Sequence, residues 1–190
     1  MKRFKFIKTP IEGLYVIEPH IFKDSRGYFF ESYNYNEFKD MGIDINFVQD
    51  NQSRSRKGVL RGLHFQKENS QGKLVRVLSG EVFDVAVDLR EKSPTFGKWF
   101  GVILSSEKKN MFYIPKNFAH GFLVLSDEAE FFYKCTDFYS PSSEAGIIWD
   151  DKDIDISWPL EGVKEIILSE KDKNNMTLKE YKNSLKINYN

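Results

Sequence analysis

The sequence predicts an all-β domain, a sandwich or barrel of short strands with a few short flanking helices. Three observations point there. Apolar residues alternate at period two through the middle of the chain. In "GEVFDVAVDLR" (80–90), Phe83, Val85, Val87 and Leu89 share one face, and Val82, Asp84, Ala86 and Asp88 the other. Turn signals such as "LSGE", "EKSPTFG", "SSEKKN" and "SDEA" cut these runs at close spacing, a pattern of neighbouring strands rather than of alternating helix and strand. Seventeen Phe and nine Tyr favour strands and pocket walls.

The elements follow in order. In "FKDSRGYFFES" (22–32), Arg26 before Gly27 reads as a bend followed by a strand. "NYNEFKDMG" (34–42) predicts a helix, with Asn34 as its cap, Glu37 three residues on and Gly42 as its stop. "VLRGLHFQ" (59–66), "GKWFGVILS" (97–105) and "GFLVLS" (121–126) read as strands. So does "EFFYKCTDFY" (130–139), with Phe131, Tyr133, Cys135, Asp137 and Tyr139 on one face. The polar stretch from about Glu170 to Lys186 reads as one helix with a frayed tail, its Lys-rich end solvated. No linker, repeat or low-complexity segment divides the chain, so residues 1–190 form one domain.

Composition narrows the function. Lys plus Arg and Asp plus Glu balance at 28 each, which argues against a nucleic-acid partner, where a basic excess is usual. The single cysteine, Cys135, permits no internal disulfide and fits a reducing compartment. "MKRFKFIKTPIEG" holds no signal-peptide core, and no window is long and apolar enough for a membrane span, so a soluble cytoplasmic protein is expected. No Walker or dinucleotide glycine pattern occurs.

Of three histidines, His64 is the one whose surroundings suggest chemistry. A strand histidine is more often a core residue held by a backbone carbonyl. Arg61, Gln66 and Lys73 nearby would all need buried partners, and a pocket meets that need better than a dry core. Histidine is also the natural general base near neutral pH. His120 sits in "YIPKNFAHGFLVLS" after a turn in which Asn117 is expected at positive φ. Tyr133 is either a core aromatic or a general acid. Arg26 is either half of a surface ion pair with an acidic neighbour or a fork for phosphate. Asp172, after an apolar "IIL" run, says little alone, and Cys135 reads as structural. No His-x-His pair is present, so no metal is expected.

Eight stretches in order carry a family resemblance: "DSRGYFFES", "FVQDNQSRSRKGVLRGLHFQ", "QGKLVRVLSGEVFDVAVDLR", "SPTFGKWFGVILS", "FYIPKNFAHGFLVLSD", "YKCTDFYSPSSEAGIIWDD", "ISWPL" and "LSEKD". From about residue 4 to 175 the chain resembles the dTDP-4-dehydrorhamnose 3,5-epimerases. The resemblance implies a cupin-like jelly-roll barrel, a homodimer formed by exchanging strands, and the substrate dTDP-4-dehydro-6-deoxy-D-glucose, with no cofactor and no metal. By position it implies His64 as base, Asp172 as its orienting carboxylate, Tyr133 as acid and Lys73 as enolate stabiliser. Arg26, Glu31, Gln49, Asn51, Arg61, His120, Glu144 and Lys171 match ligand-binding positions, and Tyr139 an aromatic beside the nucleotide. One departure from the family stands out, Asn117 in place of a glycine before His120; Gln66 stands where metal-binding cupins carry a second histidine, which supports a metal-free site.

The implied chemistry is proton abstraction beside the carbon-4 ketone and reprotonation through an enolate, inverting carbons 3 and 5. Related enzymes on the same scaffold invert carbon 3 alone or move the ketone. A cupin that only binds nucleotide or sugar is the reading from another class.

Overall fold

Alternation at period two becomes two stacked antiparallel sheets in the computed structural model, which describes residues 2–187. The chain runs β1 (Phe4–Lys8), β2 (Tyr15–Pro19), β3 (Phe22–Asp24), β4 (Gly27–Phe29), α1 (Tyr35–Asp40), β5 (Gln49–Arg56), β6 (Leu60–Gln66), β7 (Lys73–Ser79), β8 (Glu81–Asp88), β9 (Trp99–Ser105), β10 (Met111–Ile114), β11 (Phe118–Val124), β12 (Glu128–Cys135), β13 (Glu144–Gly146), α2 (Glu170–Lys173) and α3 (Leu178–Ile187). One sheet has the order β1-β2-β10-β7-β12-β5, the other β13-β6-β11-β8-β9, and β3-β4 is a separate hairpin. The expected all-β, cupin-like jelly roll with short flanking helices is what the chain forms.

Three apolar layers hold it together. Between the sheets lie Leu14, Val75, Val82, Leu104, Phe112, Phe122 and Phe131 among others. The outer face of the five-stranded sheet (Leu63, Val85, Val87) is covered by the C-terminal segment through Ile154 and Leu178. On the six-stranded sheet, Phe38 of α1 covers Ile17, Leu74 and Met111. In β8 both faces are therefore buried, which explains why Val82 and Ala86 share a face with Asp84 and Asp88.

Helix α1 starts where expected. The Asn34 side chain accepts hydrogen bonds from the Asn36 and Glu37 N–H groups, and Gly42 at φ 83° ends the segment. Glu37 does not complete a capping box; its carboxylate accepts the Arg3 N–H instead. Two expectations are corrected. Residues 170–186 do not form one helix. Met176 pairs with Ile147 as a parallel bridge, which pulls the chain out of helical geometry, and Thr177 with Glu180 then caps α3 afresh. The strand expected to run to Tyr139 stops at Cys135, because the Tyr139 N–H turns to the Gln49 side chain rather than to a strand partner. Among the described residues no helix is long and apolar enough to cross a membrane.

The loop after β8 is locked by Asp88. Burial alone would raise its pKa, but hydrogen bonds from Arg90, Ser93 and Thr95 outweigh that and hold it at about 2. Arg90 then lies over the Phe118 ring, 4.7 Å from its centroid, at the start of β11.

Gly62 is where β6 and β11 come closest. Its φ is +125°, and an added Cβ would lie 2.5 Å from Gly121 Cα and 2.8 Å from the His120 carbonyl oxygen. Gly62→Ala should destabilise the fold by about 3 kcal/mol or more, combining strained backbone with overpacking. A denaturant midpoint within error of the wild type would refute this.

Candidate active site

The inner faces of the two sheets are not uniformly apolar. Where β5, β12 and β7 face β6, β11 and β8, the inward positions carry Asn51, Tyr133, Cys135, Lys73, His64, His120 and Asp84. A cavity of about 90 Å³ there is lined by His64, Lys73, Phe118, Tyr133, Tyr139 and Glu144, with Gln66, Ser70 and Gln71. His64 comes from the five-stranded sheet and Tyr133 from the six-stranded one, so they approach the cavity from opposite sides.

His64 is oriented by Asp172. Its Nε2 lies 2.5 Å from Asp172 Oδ1, leaving Nδ1 free of that bond. Asp172 is almost fully buried at the end of the chain's long return over the outer face. Burial would raise its pKa. The hydrogen bond with His64 outweighs this, helped by Ser169 and the Gly62 N–H, and the carboxyl sits below its ordinary range. Ser169 is the cap of α2: its hydroxyl accepts the Asp172 N–H at 3.1 Å and donates to Asp172 Oδ2 at 2.9 Å. Ser169 is not among the expected site residues, although "SEKD" is a capping-box pattern that marks both residues.

Tyr133 stays protonated. Burial pushes its phenol up to about 12, against the nearby Arg61 charge. Lys73 is buried beside it, Nζ 6.0 Å from the ring centroid, and burial lowers its pKa against the pull of Cys135, Asp84 and Glu144. Cys135 is a buried free thiol whose pKa is raised by burial, so it stays neutral.

The rim is a charged network. Tyr139 donates to Glu144 at 2.5 Å, and Lys171 forms an ion pair with the same carboxylate. Burial would raise Glu144, but Lys171 and Tyr139 hold it below the ordinary value. Gln49 accepts the Tyr139 N–H, and the Gln66 amide, spent on the Asn69 and Phe138 carbonyls and the Ser140 N–H, fixes the same loop. Asn51 lies opposite Tyr133 in register and donates to Cys135 Sγ at 3.6 Å. Arg61 reaches across to Ser55 Oγ at 3.1 and 3.2 Å. His120 pairs with His64 in register, buried, and bonds Asp84; Asn117 before it has the expected positive φ of 66°.

Eleven of the thirteen expected site residues therefore gather at or around the cavity: His64, Tyr133, Asp172, Lys73, Gln49, Asn51, Arg61, His120, Tyr139, Glu144 and Lys171. Arg26 and Glu31 do not. Arg26 lies on the β3-β4 hairpin, exposed and paired with Asp24 at 2.6 Å, and Glu31 pairs with Arg3 at 3.4 Å. Asp84 was passed over as a site residue. Its signal was a carboxylate flanked on its own face by Val82 and Ala86, hence buried and in need of a partner. A larger hollow of about 790 Å³ lies over β1, β2 and α1; of the charged residues that line it, Lys5 pairs with Glu18 and Glu37 accepts the Arg3 N–H.

A histidine and a tyrosine from opposing sheets thus face one cavity, with the buried Lys73 beside them. The family model described as dTDP-4-dehydrorhamnose 3,5-epimerase matches residues 8–180. The chain is 57% identical over 180 residues to a dTDP-4-dehydrorhamnose 3,5-epimerase of Methanothermobacter thermautotrophicus, covering 95% of this chain and 97% of that one. It is 58% identical over 168 residues to that of Salmonella typhimurium, covering 87% and 91%. A crystal structure of a dTDP-6-deoxy-D-glucose-3,5-epimerase from Legionella pneumophila, in complex with dTDP-4-keto-L-rhamnose, superposes with a TM-score of 0.90 at 55% identity, covering 93% of each chain. With the fold and identity over nearly its whole length in agreement, the chain belongs to the dTDP-4-dehydrorhamnose 3,5-epimerase family.

Proposed function

We propose that this cavity inverts carbons 3 and 5 of dTDP-4-dehydro-6-deoxy-D-glucose to give dTDP-4-dehydro-L-rhamnose, with no cofactor. The observation that carries the reading is His64 and Tyr133 facing one cavity from opposite sheets. A ketone at carbon 4 acidifies the protons on carbons 3 and 5. His64 takes one through Nδ1, since Nε2 is held by Asp172. The carbon–hydrogen electron pair moves into the ring and the ketone oxygen becomes an enolate. Asp172, held ionised, stabilises the imidazolium that forms. The Lys73 ammonium stabilises the enolate oxygen, a contribution of about 3–4 kcal/mol to the barrier in comparable sites. Tyr133 then delivers its proton to the other face of the same carbon and inverts it, and the ketone re-forms. A phenol held near 12 is still protonated when the enolate needs it. Arg61, Gln49, Asn51, His120, Glu144 and Lys171 bind the nucleotide sugar around this centre, with Tyr139 beside the base.

The site is completed by a second copy. Arg26 and Glu31 lie away from the chain's own cavity, and the hairpin that carries Arg26 exposes Tyr28 (59%) and Phe29 (64%). A homodimer that exchanges this hairpin would cover those rings and bring Arg26 to the partner's nucleotide diphosphate, where a guanidinium forks onto phosphate oxygens.

Proton NMR of the substrate turned over in deuterated water should show deuterium at both carbons. Label at carbon 3 alone would mean a single-centre epimerase, and none at either a binding protein. Tyr133→Phe should lose complete inversion while still exchanging label; normal double inversion would place the acid elsewhere. Asp172→Asn should lower kcat by about 10²–10⁴-fold, because the imidazole loses its orientation and counter-charge; an unchanged kcat would refute its role. Mixing separately inactive His64→Ala and Arg26→Ala copies should restore turnover, since a mixed dimer holds one intact site. No recovery after subunit exchange would refute hairpin exchange.

A further inference from the structure

Asp84 is more deeply buried than the partners around it. Its exposure is 0%, against 6% for His120 and 8% for Lys73. Its hydrogen-bond partner is His120 Nε2, which lies 3.0 and 3.1 Å from its two oxygens, so a single N–H is shared between both. One shared N–H does not balance a carboxylate in a dry interior; such a group needs a counter-charge or a proton.

Lys73 is the matching anomaly. It is a lysine buried between the sheets, with an aromatic ring as neighbour. The groups that face it are Tyr133 and Cys135 from β12, Asp84 from β8, Glu144 from β13 and His120 from β11, with His64 beyond His120 on β6. Burial keeps the phenol and the thiol neutral. Glu144 is engaged by Lys171 and Tyr139 at the rim. Asp84 is thus the anion left to Lys73. The two act through space rather than by a direct ion pair.

Three titratable groups then lie buried between the sheets, and of these Lys73 lines the cavity. Burial raises the Asp84 pKa and lowers those of Lys73 and His120, while the attraction between Asp84 and Lys73 opposes both of their shifts; an ammonium on Lys73, a carboxylate on Asp84 and a neutral His120 sum to zero. The Asp84 contact places the His120 proton on Nε2.

We propose that Asp84 is a positioning residue for this reaction: its carboxylate is the counter-charge that keeps Lys73 an ammonium, and it fixes the His120 proton on Nε2 so that Nδ1 is free to accept a sugar hydroxyl. The proposal rests on the epimerase reading for its effect on turnover, and on geometry alone for its effect on stability. Asp84 touches no substrate; it acts through Lys73 and His120. Burial already lowers the Lys73 pKa, and Asp84 opposes that fall. Removing the charge lets it fall further, so the ammonium is lost at a lower pH.

Asp84→Asn keeps the volume and an acceptor but removes the charge. The alkaline limb of its kcat profile should move to lower pH by about one unit or more, with KM changed less than about threefold. A kcat lowered equally at every pH, with the limb in place, would overturn the proposal. The second arm is a stability cycle with Lys73→Met, which needs no substrate. Asp84→Asn with Lys73→Met should be more stable than Asp84→Asn alone, because neither charge is then left unpaired. Losses that simply add would overturn the counter-charge. If Asp84→Asn alone does not fold, folding of the double variant supports the proposal and its failure refutes it. Wild-type protein that turns nothing over, with the cycle still coupled, would sink the enzymatic reading and spare the charge pairing.

Discussion

The hydrogen bond between His64 and Asp172 joins residues 108 positions apart, and much of the architecture exists to make it. His64 lies on a strand of the five-stranded sheet. Asp172 arrives only after the chain has crossed that sheet's outer face, burying Ile154 against it, and has turned in at α2. A carboxylate at 2% exposure would not stay ionised unaided. It does so because Ser169, the Gly62 N–H and His64 each supply a hydrogen bond. The Gly62 donor in turn requires a backbone conformation that only glycine adopts easily, at a point where β6 and β11 nearly touch. Base, cap and close strand crossing are one construction.

Polar groups between two sheets weaken a sandwich whose stability normally comes from that space. The fold answers by burying apolar surface elsewhere. Both sheets are covered on their outer faces, by α1 on one side and by the C-terminal segment on the other. The inner layer also holds an apolar cluster that includes Phe112, Leu104 and Val82, against which Tyr133 packs. The loop locked by Asp88 stiffens the approach to β11, whose first residue, Phe118, lines the cavity. Rigidity around the site therefore comes from packing outside it.

How much of this was legible follows from range. Strand periodicity is a local property, and the alternating runs do form strands, although β12 stops at Cys135, short of Tyr139. His64 is legible as chemistry because Arg61, Gln66 and Lys73 beside it are polar residues in strand-like runs that need partners, whereas the roles of Tyr133 and Lys73 come from the resemblance. The Asn117 turn was legible because one backbone angle decides it. The break at Met176 was not, since a bridge to Ile147 overrides local helix propensity. Asp84 does not stand out from alternation, because the pattern sorts residues onto two faces without saying that both faces of β8 are buried. The grouping of Asp172 with His64 came from resemblance; no spacing rule links positions so far apart. Arg26 and Glu31 show the opposite limit: the same resemblance names them, while the single chain holds them elsewhere.

Inversion at carbon requires proton loss and proton gain on opposite faces of one atom, and that sets a geometric demand on the scaffold. Groups on a single sheet face reach a ligand from one side. Two stacked sheets lie about 10 Å apart, and a sugar ring with a hydrogen-bonding group at about 3 Å on each side spans most of that gap. A histidine on one sheet and the longer tyrosine on the other can therefore both reach a ring held with one face toward each sheet. The cations must lie in the same gap, level with the ketone, and a lysine so placed loses its water. An anion behind it is then a necessity of the layout: the depth that separates base from acid is the depth that desolvates Lys73, and Asp84 is the group that the second sheet offers against it.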